Sequence, residues 1–531
     1  MQRELTIRQG KLCGHPSGDG EVWSYRAIPY AEPPVGELRW RPPQPPPSWE
    51  GIRNAESFSP IPVQPARAEN ALTFLGHEPM SENCLYLNVS TAARSPHERR
   101  PVMVWLYFGA FIMGSGSASL FDGEALARKG VVVVTFNFRL GRLGFLAHPE
   151  LSGESEHGVS GNYGLLDQIA ALRWVRENID RFGGDPECVT VFGQSSGSSS
   201  VSLLMASPLA RGLFHRAIAQ SGGEFNPPRP NMGLPGLAHL SDAEEQGLAL
   251  SRELGERSIG DLRKRPAEDI LSVWTSDAPV NWRSGIRNAA FVCGYPVLDG
   301  YVVPERGVTE TFAQGLQNDV PLITGFAANE GGGKFGASGQ ADFRQQAHEK
   351  YGPLAERFLE LFPSGDDKQA VVSSSVEIGD QLFSWQNWAF ARLHAATTRY
   401  GVYYYHFLHV PPYPLDRDYA ETDGDPATEL GAIHGSDIPF VFSNLDKRDW
   451  PWRPEDWCLT DTMSSYWTNF ASSGNPNGEG LPYWPAFGGG LADTMHFGAS
   501  LGVGDAPFTE RLAFWDRHFL GKESGIQIFR D

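Results

Sequence analysis

Unbroken apolar runs alternate with helical periodicities along most of this chain. Val102 to Phe108, Val131 to Phe138 and Cys188 to Phe192 are continuous and rich in β-branched and aromatic residues. Runs of this kind predict strands buried on both faces of a parallel sheet. Shorter runs, Ala217 to Gln220, Pro321 to Gly325 and Val402 to His409, extend the series, and Cys84 to Val89 alternates like a half-buried strand. Leu165 to Asn178 has helical apolar spacing and leads into the Cys188 strand, while Asp461 to Ser472 and Thr509 to Gly521 predict late helices. This rhythm predicts an α/β fold, a single domain over residues 1–531 wound around one central, mostly parallel sheet with helices on both faces. Segments about 226–290 and 340–400 read as mostly helical insertions that roof a pocket or gorge. Near the N-terminus an extended stretch, Glu21 to Ala31, runs into a proline-rich loop, Pro42 to Pro47.

One stretch organises the rest. The Cys188 strand breaks at Gly193, and Gly193-Gln194-Ser195-Ser196-Gly197 opens the proline-free segment Ser196 to Ala206. A serine on a tight turn between strand and helix is the context of a nucleophile elbow. With 59 glycines in 531 residues, a bare Gly-x-Ser-x-Gly arises by chance in roughly one of two such chains, so context has to decide. The chain holds its own control: Gly498-Ala499-Ser500-Leu501-Gly502 matches too, but it is followed by Val503-Gly504-Asp505-Ala506-Pro507, which opens no helix. Ser195 alone fits as a nucleophile.

Composition narrows the partners. Lys plus Arg is 44 and Asp plus Glu is 63, a formal charge of −19, which argues against nucleic acid or an anionic membrane as partner. The first ten residues show no apolar core of a signal peptide, and the longest apolar run, Val102 to Gly114, is too short to cross a bilayer. Five widely spaced cysteines without a Cys-x-x-Cys pair fit a reducing, cytoplasmic setting better than a disulfide framework or zinc site, although a mature secreted form would look the same.

A serine nucleophile needs a base to take its proton and an acid to orient that base. In α/β-hydrolases these follow in the order nucleophile, acid, histidine, each in a loop after a strand. Downstream of Ser195 the Pro321 strand ends in Asn329-Glu330-Gly331, and further on stands Ile433-His434-Gly435. A loop glutamate is ordinarily solvated and a lone histidine ordinarily structural; their order and their strand-end positions make Glu330 and His434 the acid and base. Backbone N–H groups of Ser196 and of Gly109 and Ala110, in the glycine-rich loop after the Val102 strand, are the expected oxyanion hole.

These residues sit within a longer series of motifs: Ile28-Pro29-Tyr30-Ala31-Glu32-Pro33-Pro34-Val35-Gly36, Ser81-Glu82-Asn83-Cys84-Leu85, Asn137-Phe138-Arg139-Leu140-Gly141 and Gly161-Asn162-Tyr163-Gly164. Beyond them come Phe182 to Gly197, Ala219-Gln220-Ser221-Gly222, His434-Gly435-Ser436-Asp437-Ile438 and Gly474-Asn475-Pro476-Asn477. In them the chain resembles the type-B carboxylesterase/cholinesterase family over nearly its whole length, in its bacterial para-nitrobenzyl-esterase-like form. The resemblance implies an α/β-hydrolase fold, a Ser195–Glu330–His434 triad, ion pairs Arg39–Glu82 and Arg139–Asp167, and Ser221 as a hydrogen-bonding neighbour of the triad. It implies hydrolysis of small to medium carboxylic esters through an acyl-enzyme, with no metal or organic cofactor, in a monomer or homodimer.

Departures from the family pattern bear on substrate. Tyr107-Phe108-Gly109-Ala110-Phe111 stands where the family reads His-Gly-Gly-Gly-Phe, so Phe108 is expected to narrow the gorge. Gln194 replaces a common glutamate. The Gln64 to Met80 loop offers Phe74 but no tryptophan for choline. Ala290 and Val292 stand where bulky aromatics would restrict the acyl group. Two other readings remain: an esterase specialised for an unusual ester (toxin, polyester-derived or plant-phenolic), and a non-catalytic binding member, which the retained Ser195 disfavours.

Overall fold

A computed structural model describes residues 4–66, 69–72, 78–228, 236–272, 292–331, 337–422, 424–488 and 493–521. Among them eleven strands form one mixed sheet. In chain order they are β1 (His15–Pro16), β2 (Trp23–Pro29), β3 (Tyr86–Thr91), β4 (Arg100–Leu106), β5 (Val132–Phe136) and β6 (Gly184–Gln194). They continue with β7 (Arg216–Gln220), β8 (Leu322–Ala327), β9 (Val402–Phe407), β10 (Thr494–Phe497) and β11 (Gly502–Gly504). Across the sheet the order is β11-β10-β9-β8-β7-β6-β4-β5-β3-β2-β1. Pairing is parallel from β5 through β10 and antiparallel at both margins.

Side-chain chemistry accounts for this arrangement. β5 and β8 are buried at every position, as strands must be when helices cover both faces. β3 alternates between buried and half-buried residues, which suits its antiparallel place toward the margin. Helices α1 (Tyr163–Asn178) and α2 (Ser196–Ala206) flank the centre, and α3 (Pro454–Ser473) and α4 (Thr509–Leu520) come late in the chain. Helix α2, serine-rich in its first half, is buried along its whole length. Strand β6 does not stop at Gly193 as its glycine suggested. Its parallel register with β7 carries through Gly193 opposite Ala219 and Gln194 opposite Gln220, so the turn falls on Ser195 itself.

The two interruptions are helical over much of their described length. The first holds the helices Leu240–Glu253, Ile259–Leu262 and Ala267–Ser272, and its strand Ala238–His239 pairs in parallel with Val297–Leu298 just beyond it, a pair that no pattern announced. The second holds Gln340–Tyr351, Ala355–Leu361, Asp367–Gly379 and Trp385–Ala395, with a π-helical turn at Asp380–Ser384. Both expected ion pairs form. Arg139 meets Asp167 in a buried fork of 2.8 and 2.7 Å, and Arg39 meets Glu82 through bonds of 2.7 and 2.5 Å. All five cysteines are free thiols. No helix among the described residues is long and apolar enough to cross a membrane.

Gly197 packs against the end of β4 so closely that a Cβ there would lie 1.9 Å from the Leu106 carbonyl oxygen. Gly197→Ala is therefore expected to destabilise the fold by about 2 kcal/mol or more, because the backbone itself must move. A thermal melt that superimposes on that of the wild type would contradict this packing.

Candidate active site

Four loops at the carboxyl ends of parallel strands converge, the usual location of a site in an open α/β sheet. Ser195 follows β6 with φ 58° and ψ −123°, a conformation that side chains rarely adopt. Its N–H donates to the Gln220 carbonyl at 2.9 Å, which fixes the turn to the end of β7. A Cβ on Gly193 would lie 2.5 Å from the Gly197 carbonyl carbon, and one on Gly222 would lie 2.5 Å from the Ser195 oxygen. Small residues on all sides therefore let the strained turn close, and Ser195 is left partly exposed. The decoy Ser500 sits exposed in the hairpin between β10 and β11, away from this convergence.

Glu330 lies just beyond β8 and His434 in a loop after β9. The two loops are stitched by a parallel bridge between Asn329 and Ile433, by the Asn329 N–H donating to Ala432 at 3.0 Å, and by the Ala432 N–H donating to Asn329 Oδ1 at 2.9 Å. His434 Nδ1 and Glu330 Oε2 are 2.5 Å apart, while Glu330 Oε1 accepts from the Ala327 N–H at 2.8 Å. The carboxylate is almost fully enclosed, and the imidazole keeps about a quarter of its surface accessible. The face of the imidazole is covered by Phe383, with ring centroids 3.9 Å apart. Phe383 belongs to the π-helical turn, which is anchored where Asp380 accepts from Arg511 at 2.8 and 3.1 Å.

The side-chain amide nitrogen of Gln194 lies 3.1 Å from the remaining imidazole nitrogen, Nε2, and 3.4 Å from Nδ1. Among the described residues no hydrogen bond joins Ser195 Oγ to the ring. Loose nucleophile–base contacts are common in unliganded sites. Gln194 is thus a direct neighbour of His434, a contact that its place beside the serine did not disclose.

Beneath the histidine lies a buried polar network. Asp437 Oδ2 accepts from Gln220 Nε2 at 2.9 Å and from the Tyr405 hydroxyl at 2.8 Å, and Trp467 donates to Gln220 Oε1 at 3.3 Å. Burial pushes the Asp437 carboxyl above the usual carboxylate range, and the bonds from Gln220 and Tyr405 work against that shift. Gln220 therefore holds the elbow with its backbone and the histidine loop with its side chain. The motif stretches contained these residues without revealing their connection.

The loop after β4 is unusual. Ala110 and Phe111 both have positive φ, at 55° and 62°, and Gly109 stands at 124° with a position where a Cβ would lie 2.0 Å from the Met113 oxygen. Gly109 and Ala110 use their N–H groups in no hydrogen bond among the described residues, and the Ser196 N–H is in the first turn of α2. Phe108 is buried edge-to-face on Phe121 and lines the narrow slot that also holds His434 and Gln194. Ser221 departs from what the resemblance implied: it follows β7 beside the elbow, fully buried, but its hydroxyl bonds to no triad residue and has no partner among the described residues. Val292 packs on the cluster around Trp40 and Leu143 rather than on the triad, and its carbonyl accepts from Arg142 at 3.1 Å. Phe74 and Ala290 lie outside the described residues.

A serine elbow beside a histidine–carboxylate pair at the carboxyl edge of a mostly parallel sheet defines an α/β-hydrolase. The sequence model of the carboxylesterase family matches residues 1–515. The chain is 36% identical over 500 residues to the fumonisin B1 esterase of Sphingopyxis macrogoltabida, covering 92% of this chain and 85% of that one. It is 34% identical over 520 residues to the para-nitrobenzyl esterase of Bacillus subtilis, covering 96% and 97%. A solved PNB esterase superimposes with a TM-score of 0.78 at 31% identity, covering 97% of this chain and 99% of the other. A Geobacillus stearothermophilus carboxylesterase gives 0.75 at 31% identity, with 97% and 100% covered. With its elbow, its ordered motifs and this full-length match, the chain belongs to the carboxylesterase family and is a carboxylic ester hydrolase.

Glu330→Gln would keep the shape of the acid but remove the charge facing His434 Nδ1. Its kcat for ester hydrolysis is expected to fall about 10,000-fold with KM little changed, since a neutral amide fails to hold the productive tautomer. Steady-state kinetics on a chromogenic ester would check this; a loss below about tenfold would remove Glu330 from that role.

Proposed function

We propose that Ser195, His434 and Glu330 form the catalytic triad of a serine carboxylesterase acting on small to medium carboxylic esters. The observation that carries this reading is the 2.5 Å His434–Glu330 contact, held beside a serine in a strained elbow. Ser195 Oγ attacks the ester carbonyl carbon while its proton passes to His434 Nε2. The carbonyl oxygen becomes an oxyanion, received by the N–H groups of Gly109, Ala110 and Ser196. Collapse breaks the carbonyl carbon–alkoxide bond, and His434 returns the proton to the departing alcohol. Water then attacks the acyl-enzyme by the same route, releasing the acid and restoring Ser195. These steps use only groups of the chain and water.

The 36% identity to a fumonisin B1 esterase favours, as a second reading, specialisation for a larger or unusual ester. A cavity of about 590 Å³, within the usual size range of ligand sites, lies next to the slot over His434 and leaves room for one. We read residues 1–531 as one catalytic domain whose two helical insertions roof the site. Five free thiols support a cytoplasmic location, and a monomer or homodimer is the expected state.

Hydrolysis of para-nitrophenyl esters from acetate to decanoate, by wild type and Ser195→Ala, tests the triad. Wild type is expected to turn over the short chains, and Ser195→Ala to lose kcat by roughly 100,000-fold or more. Retention of activity in Ser195→Ala would place the nucleophile elsewhere. Reaction of wild type with a fluorophosphonate, without turnover of the series, would favour the specialised reading.

A further inference from the structure

The large cavity beside the histidine slot contains a cation that the ester-cleaving machinery does not use. Arg448, Leu72 and Trp450 line both spaces, so Arg448 stands in the wall between the 590 Å³ cavity and the 40 Å³ slot over His434. Arg448 lies 4.9 Å from the centroid of the Trp450 ring, and one of its terminal nitrogens donates to the Leu72 carbonyl at 3.2 Å. Trp450 is itself stacked on Trp452, which stiffens that platform. Among the described residues Arg448 pairs with no carboxylate. Its neighbours are otherwise matched: Arg417 with Asp449 at 3.2 Å, and Lys447 with Asp122 at 3.6 Å. Glu421 reaches the same wall but accepts from the Leu72 N–H at 3.2 Å. Glu69, Asp418 and Asp449 also face the cavity, so Arg448 would act through contact rather than through a general positive field.

A half-buried guanidinium carries five N–H donors in a fixed fork, and among the described residues only the Leu72 carbonyl accepts from it, which leaves the rest to water or a ligand. Burial already works against its charge, lowering its pKa below the ordinary arginine value. A carboxylate would meet both demands, because its two oxygens match the fork. The side of the site is equally informative. The histidine hands its proton to the departing alcohol, so the alcohol part of the ester must lie on the histidine side. That is where Arg448 stands.

From this geometry we infer that Arg448 reads a carboxylate on the alcohol portion of the substrate, so that the enzyme prefers esters whose leaving alcohol is anionic. The Trp450 ring beside it suits a flat or apolar body between the ester oxygen and the carboxylate. This rests on the triad reading above and adds the substrate class to it.

The test compares 4-acetoxybenzoate with its methyl ester, which share an acetyl group and differ in one negative charge on the leaving alcohol. The readout is the ratio of their kcat/KM values in wild type, Arg448→Met and Arg448→Lys. The ratio is expected to fall about 10- to 100-fold in Arg448→Met, to be partly kept in Arg448→Lys, and to shrink in wild type as salt is raised. Fluorophosphonate labelling of Ser195 in each variant shows whether the site is folded and competent. An unchanged ratio in Arg448→Met, whether both rates fall or neither does, would overturn the inference and leave Arg448 as a support for the Leu72 segment. Wild type that labels normally but hydrolyses neither ester would also overturn it, with the nucleophile reading intact. Failure of wild type to label would overturn the triad reading and this inference together.

Discussion

The contact between the elbow and the end of β4 is the constraint on which the site depends. Gly197 lies so near the Leu106 carbonyl that no side chain fits between them, and Gly193 and Gly222 close the turn from two further sides. That packing, with the Ser195 N–H bonded to Gln220, holds a serine at φ 58° where an isolated chain would relax. Strain of about 1–3 kcal/mol per such residue persists only where the surroundings over-determine the backbone, and here three strands do so. The result is a hydroxyl raised clear of the sheet, with the first turn of α2 behind it.

The same economy links the other loops. Asn329 ties the glutamate loop to the histidine loop through backbone and side chain, so the 2.5 Å Glu330–His434 contact does not depend on two loops meeting independently. Gln220 and Asp437 tie the elbow to the histidine loop from below. Phe383 closes one face of the imidazole from the second helical insertion, and Arg511 of α4 anchors the turn that carries it. A group as distant in sequence as Arg511 thereby bears on the surroundings of His434. Such preorganisation is the main source of electrostatic stabilisation in enzymes, because dipoles already in place need not reorient during reaction.

Gln194 and Phe108 show how the chain varies within that frame. A neutral amide now faces His434 where a charge is common, and a phenyl ring lines the slot beside it. Neither change touches the backbone N–H groups of Gly109 and Ala110, whose loop keeps its left-handed course.

Six of the seven parallel strands (all but β10), the helix after the elbow and the positions of Ser195, Glu330 and His434 were legible in the sequence. They depend on local signals: continuous apolar runs, glycine spacing, and strand-end loops in a fixed order. Ser196–Ala206 was read to the residue because a tight turn followed by helix-compatible residues without proline leaves little choice of helix start. What stayed illegible involves partners far apart along the chain. Phe383 over His434, Asn329 beside Ile433, Gln194 against Nε2, the unbonded Ser221 hydroxyl and Arg448 beside Trp450 have no periodicity and no motif to announce them. The sequence by itself determined the central strands of the sheet and the order of chemical groups along it, because both follow from local hydrophobic patterning, whereas the short marginal strands β1, β10 and β11 lacked such a pattern. Which side chain touches which across the site was decided only by tertiary packing, since such contacts depend on how distant loops settle on the sheet rather than on any property of neighbouring residues.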